Sequence, residues 1–212
     1  MRTGVDIVVP VKVLRLAKSR LVGAVDGGAG NPRTHAALAL ALAMDTLAAV
    51  RATPCVRRVL AVSSDPTVTA ALAADGFEVG PDDPGAGLNP ALRYGARLLR
   101  RDDPSARVAA LQADLPALRP DELEAAIRSA ASQRAFCPDR QGTGTTLLVA
   151  APGRELDPRF GVGSAAEHAA SGAVRLDGPW PSLRCDVDTA EDLAAAAALG
   201  LGQRTAAVLA AA

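Results

Sequence analysis

The chain is 212 residues long, 49% hydrophobic and 22% charged, which suits one globular domain with a full core and argues against disorder. Lysine plus arginine and aspartate plus glutamate balance at 23 each, so no global field selects nucleic acid or an acidic membrane surface, and any anion site has to be local. With 2% aromatic residues and three widely spaced cysteines, Cys55, Cys137 and Cys185, neither a stacking platform for single strands nor a disulfide or zinc framework is on offer.

The opening MRTGVDIVVP has too short an apolar run before Pro10 and Lys12 for a signal peptide, and no later run spans a membrane without charge, so a cytoplasmic protein is expected. Residues 5–9, apolar apart from Asp6, read as a short first strand, the kind buried on both faces of a parallel sheet. Lys12, Arg15, Lys18 and Arg20 follow just past its end, where open α/β sheets meet phosphates; a solvated basic face is the other reading. There is no G-x-G-x-x-G fingerprint and no P-loop.

Residues 22–34, Gly-rich and holding Asn31-Pro32, read as a flexible surface loop. A helix is expected from His35 to about Arg51 with Leu38, Leu42 and Leu47 toward the core, Asp45 solvated or capping a neighbour, and His35 a cap or surface residue. A strand over 56–62 leads to Asp65 as N-cap with Pro66 behind it, a helix with Val68, Ala71 and Leu72 on one face, and Gly76 as its stop. Residues 77–79 make a short third strand. The loop over 80–87 opens a helix at Leu88-Asn89-Pro90 with Ala91, Leu92, Gly95, Ala96 and Leu99 inward. Asn89 either caps that helix or reads a nucleobase edge.

In VAALQADLPAL, residues 108–118, an apolar strand delivers Asp114 into a Leu-Pro turn, as a ligand-facing acid or a simple turn cap. A helix from Pro120 follows, with Leu123, Ala126, Ile127 and Ala130 at helical spacing. Alternating strands and helices argue for a mostly parallel α/β sheet. Residues 134–150 then read as two strands joined by Arg140-Gln141-Gly142-Thr143-Gly144, either a plain hairpin or a backbone built to approach a ligand. In PRFGVGSAAEH, Ser164 to Glu167 has capping-box spacing behind two glycines, an anion cradle or an ordinary capped helix, with His168 at the surface. Near the end, Asp186 and Asp188 lie two apart on an extended stretch and share a face. Thr189 to Asp192 is a capping box for a helix ended by Gly200. The apolar tail over 205–212 packs on its own domain or on a partner.

Asp114 and Asp186, with Asp188 near, would form a divalent-metal pair if their strands lie side by side, since oxygen-only ligands suit Mg²⁺ shared with substrate phosphates. Basic residues after strand one, acids on two strand tips and an anion cradle suit nucleotidyl transfer, which needs positioning and charge stabilisation and no nucleophilic side chain.

Taken together, VVPVK with LAKSRL, LQADLPAL, GTGTT, PRFGVGSAAEH and RCDVDT resemble, over nearly the whole chain, the 2-phospho-L-lactate guanylyltransferase family of coenzyme F-420 biosynthesis, in particular its phosphoenolpyruvate guanylyltransferase members. The resemblance implies a single-domain, Rossmann-like nucleotide-diphospho-sugar-transferase-like α/β fold over 1–212, its sheet mostly parallel with helices on both faces. It implies GTP and phosphoenolpyruvate as substrates, enolpyruvoyl-2-diphospho-5′-guanosine and pyrophosphate as products, two Mg²⁺ ions, and a downstream transferase that takes the unstable product. Carried over by residue, Thr145, Gly161 and Ser164 look like acceptor ligands, Asp114, Asp186 and Asp188 like metal acids, and Lys12, Lys18 and Arg20 like ligands of the nucleotide phosphates. Ala113 stands where the family pattern has glycine. Phosphoenolpyruvate and 2-phospho-L-lactate differ in the planarity of one carbon, which no spacing reveals. The rival readings are a nucleotidyltransferase for a sugar phosphate or molybdopterin, whose glycine-rich G-x-G-x-R run is missing, and a non-catalytic nucleotide-binding regulator.

Overall fold

The computed structural model describes residues 4–14, 18–23, 26–81, 87–101 and 103–212. Arg15, positions 24–25 and positions 82–86 of the expected loops therefore lie outside the described residues.

Strand β1, Val5–Pro10, is buried at every position because it has a strand on each side and a layer on each face. Its neighbours are β2, Val56–Ser63, and β4, Arg107–Leu111, both parallel to it. Beyond β2 lies β3, Glu78–Pro81, also parallel. Beyond β4 come β6, Thr145–Val149, antiparallel to both its neighbours, then β5, Ala135–Pro138, and β7, Val174–Arg175. The seven-stranded sheet thus has the order β3-β2-β1-β4-β6-β5-β7. β3 starts one residue later than expected. The amide of Phe77 is spent on the Leu72 carbonyl, and that of Gly76 on Ala73, in the motif that closes the preceding helix.

Side-chain alternation divides the core. Ile7, Val9, Ala109, Leu111, Leu147 and Val149 face one layer, while Val8, Val108, Ala110 and Leu148 face the other. The first layer holds α1, Pro32–Ala52, α2, Pro66–Ala74, and α4, Pro120–Ser129. The second holds α3, Leu88–Arg101, and α5, Ser164–Ala170. Gly95 lets α3 sit directly on β1, since a Cβ there would come within 2.5 Å of Val8 Cγ2.

Helix α1 begins earlier than the sequence reading had it. Asn31 accepts the Arg33 amide and Pro32 takes the first helical position, so the Asn-Pro pair read as loop is the helix start. His35 is consequently one turn inside the helix and buried, not at the surface. By length and composition alone α1 could cross a membrane, yet it is lined with buried residues from Leu38 to Val50 and serves as the central helix of its layer. Asp45 is buried and caps the last helix: its carboxylate accepts the amides of Arg204 and Thr205 at 3.1 and 2.7 Å. The C-terminal tail, as α8, Gln203–Ala210, therefore packs on its own chain beside α1, with α7, Ala190–Leu199, completing a small cluster around Leu38, Leu42 and Val187. The stretch before Asp186 is not strand throughout. Pro181–Arg184 forms one helical turn, α6, and residues 185–189 follow without strand structure.

Candidate functional site

Topology decides which residues meet. Because β1 and β4 are parallel, Pro10 and Leu111 leave the sheet at one edge, carrying Lys12 and Asp114 with them. Because β6 runs against β4, with Leu111 opposite Leu147, its first residue, Thr145, stands at that same edge. β5 ends opposite Thr145, which brings Asp139 there too. The 185–188 segment is fastened alongside by a hydrogen bond from the Val187 amide to the Asp114 carbonyl, 3.0 Å.

The result is a cleft of about 850 Å³ lined by Lys12, Lys18, Arg20, Asp114, Thr145, Gly161, Ser164, Asp186 and Asp188, together with Asp139 and Gln112. Among the described residues, every candidate metal, phosphate or acceptor ligand from the sequence except Asn89 lines it. The Asn89 amide pairs with the backbone of one residue, donating to the Phe160 carbonyl at 2.9 Å and accepting the Phe160 amide at 2.8 Å. It neither caps α3 nor lines the cleft; it locks α3 to the 158–163 loop.

The Asp114 turn is held from α1. Thr46 Oγ1 accepts the Leu115 amide at 2.9 Å and reaches the Leu42 and Ala113 carbonyls at 2.8 and 3.2 Å. The Ala113 methyl packs toward the core of that layer. Across Asp114, the Lys18 ammonium ion-pairs with Asp114 Oδ2 and lies 2.6 Å from Asp188 Oδ1, with Lys18 itself in a left-handed backbone conformation, φ 57°. Burial pushes the ammonium down, but the two carboxylates outweigh it and hold Lys18 above the usual lysine range. Asp186 shows the reverse: burial, then the negative charges of Asp114, Asp139 and Asp188, raise its carboxyl to about 8.

This donor set fits a divalent cation. All the side-chain donors are carboxylate oxygens, Asp114 Oδ1 is buried without a hydrogen-bond partner, and a lysine ammonium already stands against two of the acids. Among the described residues the acids do not by themselves make a three-ligand cluster, which suits an ion completed by substrate phosphates.

The opposite wall departs from the sequence reading in two places. Gly163, φ 72°, is the N-cap of α5 and Gly161 has φ 144°, conformations that explain the glycines. Ser164 is therefore the first helical residue and makes no capping box; its Oγ lies 3.2 Å from Thr145 Oγ1. His168 is fully buried rather than at the surface, with Nδ1 2.9 Å from Thr145 Oγ1 and Nε2 accepting the Arg159 amide at 3.0 Å. The Thr189–Asp192 capping box is present, and Arg140 ties it to the hairpin loop through Asp192 at 2.7 Å.

Asp139 was not a candidate from the sequence. Its carboxylate accepts the amides of Thr143 and Gly144 at 2.9 and 2.8 Å and shapes the loop that leads into Thr145. A Cβ on Gly144 would come within 2.3 Å of Asp139 Oδ2, so that glycine is required by packing. The available signal was its place at the end of an apolar strand, the same as for Asp114.

Comparison with known proteins adds a family, a relative and two solved structures. Residues 39–176 match the family model of the MobA-like NTP transferase domain. A phosphoenolpyruvate guanylyltransferase from Geodermatophilus obscurus is 53% identical over 205 residues, spanning 96% of this chain and 93% of its own. Among solved structures, one from Desulfovibrio desulfuricans G20 assigned as a nucleotide-diphospho-sugar transferase superposes with TM-score 0.69 at 16% identity, covering 100% of this chain and 98% of that one. A Mycobacterium tuberculosis H37Rv protein solved with manganese does so with TM-score 0.56 at 20% identity, covering 92% and 98%. At those identities the structural likeness speaks to fold alone.

Proposed function

The chain belongs to the phosphoenolpyruvate guanylyltransferase family of nucleotidyltransferases, and from that premise we propose that it transfers GMP from GTP to phosphoenolpyruvate, within one domain over 1–212. The observation that carries this reading is a single cleft in which Lys12, Lys18 and Arg20 and the acids Asp114, Asp186 and Asp188 stand across from the hydroxyls of Thr145 and Ser164.

In the proposed mechanism the basic side chains hold and orient the triphosphate. Thr145, Gly161 and Ser164 seat the acceptor so that its phosphate oxygen lies in line with the α-phosphorus. The new bond joins that oxygen to the α-phosphorus as the bond to the β-phosphate oxygen breaks, and pyrophosphate leaves. The side chains contribute position and charge, and none acts as a nucleophile. Mg²⁺, two ions in the full reading, would be held by Asp114 and Asp186 with Asp188 assisting, and would neutralise charge on the phosphates. The product, enolpyruvoyl-2-diphospho-5′-guanosine, is a reactive anhydride suited to delivery to a downstream transferase of coenzyme F-420 biosynthesis in the cytoplasm.

The test is pyrophosphate release from GTP and Mg²⁺ with phosphoenolpyruvate, with 2-phospho-L-lactate, or with no acceptor, and product mass read alongside. Release with phosphoenolpyruvate alone supports the reading. Release only with 2-phospho-L-lactate keeps the mechanism and changes the acceptor. Silence with both, from folded protein, removes it. A Ser164→Ala protein should lose acceptor affinity more than GTP affinity; the opposite result would exchange the two subsites.

A further inference from the structure

The acceptor wall contains a histidine with no direct view of the cleft. His168 is 0% exposed, packed against the rings of Phe136 and Phe160 at centroid distances of 5.7 and 5.2 Å, and yet both of its nitrogens have polar neighbours. On one side the partner is a backbone amide, that of Arg159, 3.0 Å from Nε2. An amide can only donate, so Nε2 must carry a lone pair. A neutral imidazole has a single N–H, which is then on Nδ1. Nδ1 is 2.9 Å from Thr145 Oγ1, and with its hydrogen in place it has nothing with which to accept the threonine's.

The consequence passes to the hydroxyl pair. Thr145 Oγ1 and Ser164 Oγ, 3.2 Å apart, share one hydrogen bond. If Ser164 donates, the Thr145 hydrogen is left over; if Thr145 donates, the Ser164 hydrogen is. Among the described residues neither hydroxyl has another acceptor in reach, and both line the cleft. One hydroxyl hydrogen is therefore left without a protein acceptor whichever way the pair is arranged, at residues that line the cleft.

We propose that His168 is a positioning residue which, as the Nδ1–H tautomer, makes the Thr145–Ser164 pair an obligate donor into the cleft, so that this subsite takes an acceptor-only group, a carboxylate or phosphate oxygen. This rests on the reading of Thr145 and Ser164 as the acceptor wall. Burial first, then the nearby Arg134 and Arg159 guanidiniums, pull the imidazole down to about 4 against the opposing charge of Asp157, which keeps it neutral at pH 7.

The chain has two histidines, so ¹⁵N-labelled imidazoles in the whole protein can be assigned with one His35 variant. At pH 7 the His168 signal should be that of the Nδ1–H tautomer; an Nε2–H tautomer or an imidazolium overturns the proposal without any kinetics. In steady state, His168→Asn sets a carboxamide N–H near the Nδ1 position, whereas His168→Gln replaces only the Nε2 end. The Asn protein should keep the KM for phosphoenolpyruvate close to wild type, and the Gln protein should raise it about tenfold with the KM for GTP unchanged. Equal effects of the two, or none from Gln, overturn the proposal. Thr145→Val separates the two levels. If it raises the KM for phosphoenolpyruvate while His168→Gln is silent, only the role of His168 fails; if it raises the KM for GTP instead, the acceptor-wall reading itself fails.

Discussion

The Val187 amide reaches the Asp114 carbonyl across 3.0 Å, and this backbone contact makes one acidic site from two stretches far apart in sequence. The position of Asp114 is set by that bond and by Thr46, neither of which uses its carboxylate. Asp114→Asn should therefore leave the fold intact, with a stability loss of about 1–3 kcal/mol from the ion pair to Lys18, while turnover drops by about two to three orders of magnitude. Full turnover in the Asn protein would remove Asp114 from the metal site.

Lys18 compensates charge when no substrate is bound. Its ammonium and the Asp114 carboxylate are both largely shielded, with side-chain exposures of 14% and 16%, so losing one partner leaves the other poorly solvated. Lys18→Met should destabilise the metal-free protein by about 1–3 kcal/mol. Added Mg²⁺ or Mn²⁺ without nucleotide should then raise its melting temperature more than it raises that of wild type, because the cation meets acids no longer held by the ammonium. An equal shift in both proteins would show that the ammonium and the metal occupy different places.

Asp186 has a pH signature of known sign. Its folded-state carboxyl lies near 8 against an ordinary 3.8, so the native protein retains a proton that the unfolded chain gives up. The associated stability is fully present below the unfolded value and is lost as pH rises through about 8. Asp186→Asn, which cannot ionise, should make the metal-free protein more stable than wild type at pH 8 to 9, with the gain shrinking toward pH 4. Denaturant midpoints measured across that range in chelator check it; a gain that grows on acidification contradicts the burial of this carboxyl among other acids.

Strands and helix caps are legible in the chain because local rules govern them. A largely apolar strand such as Val5–Pro10, whose one acid, Asp6, is paired with Arg57, has only the interior to go to, and Asp65-Pro66 or Thr189 to Asp192 satisfy helix ends within a few residues. Asp114 and Asp186 are readable singly as acids at the ends of apolar stretches, but their meeting depends on pairings distant in sequence. The harder cases are those in which a residue's surroundings come from elsewhere. Asp139 joins the site only because β6 runs antiparallel between β4 and β5. His168 sits on a helix too short to show periodicity, and its burial is supplied by Phe136 and Phe160. Asn89 looks like a cap or a base reader until the 158–163 loop folds back onto it.

The support of Asp114 from beneath gives the last prediction. Thr46 is fully buried in α1, an apolar helix, and its hydroxyl accepts the Leu115 amide while lying within reach of the Leu42 and Ala113 carbonyls. Valine has nearly the same shape but accepts nothing, so Thr46→Val strands the Leu115 N–H in the core at a cost of about 1–3 kcal/mol. For a chain of this length that is a fall of about 2–4 °C in Tm per kcal/mol. Relaxation of the Leu115 peptide also shifts the carboxylate one residue away, so kcat should fall with both substrates saturating, and a misplacement of about 1 Å can cost a hundredfold. Thr46→Ser keeps the hydroxyl and loses only a methyl group; it should recover kcat although not all of the stability. If Val and Ser variants lose stability together while kcat stays at wild type in both, then the Asp114 turn is held by Val187 and its own Leu115–Leu118 bond, and Thr46 is a packing residue alone.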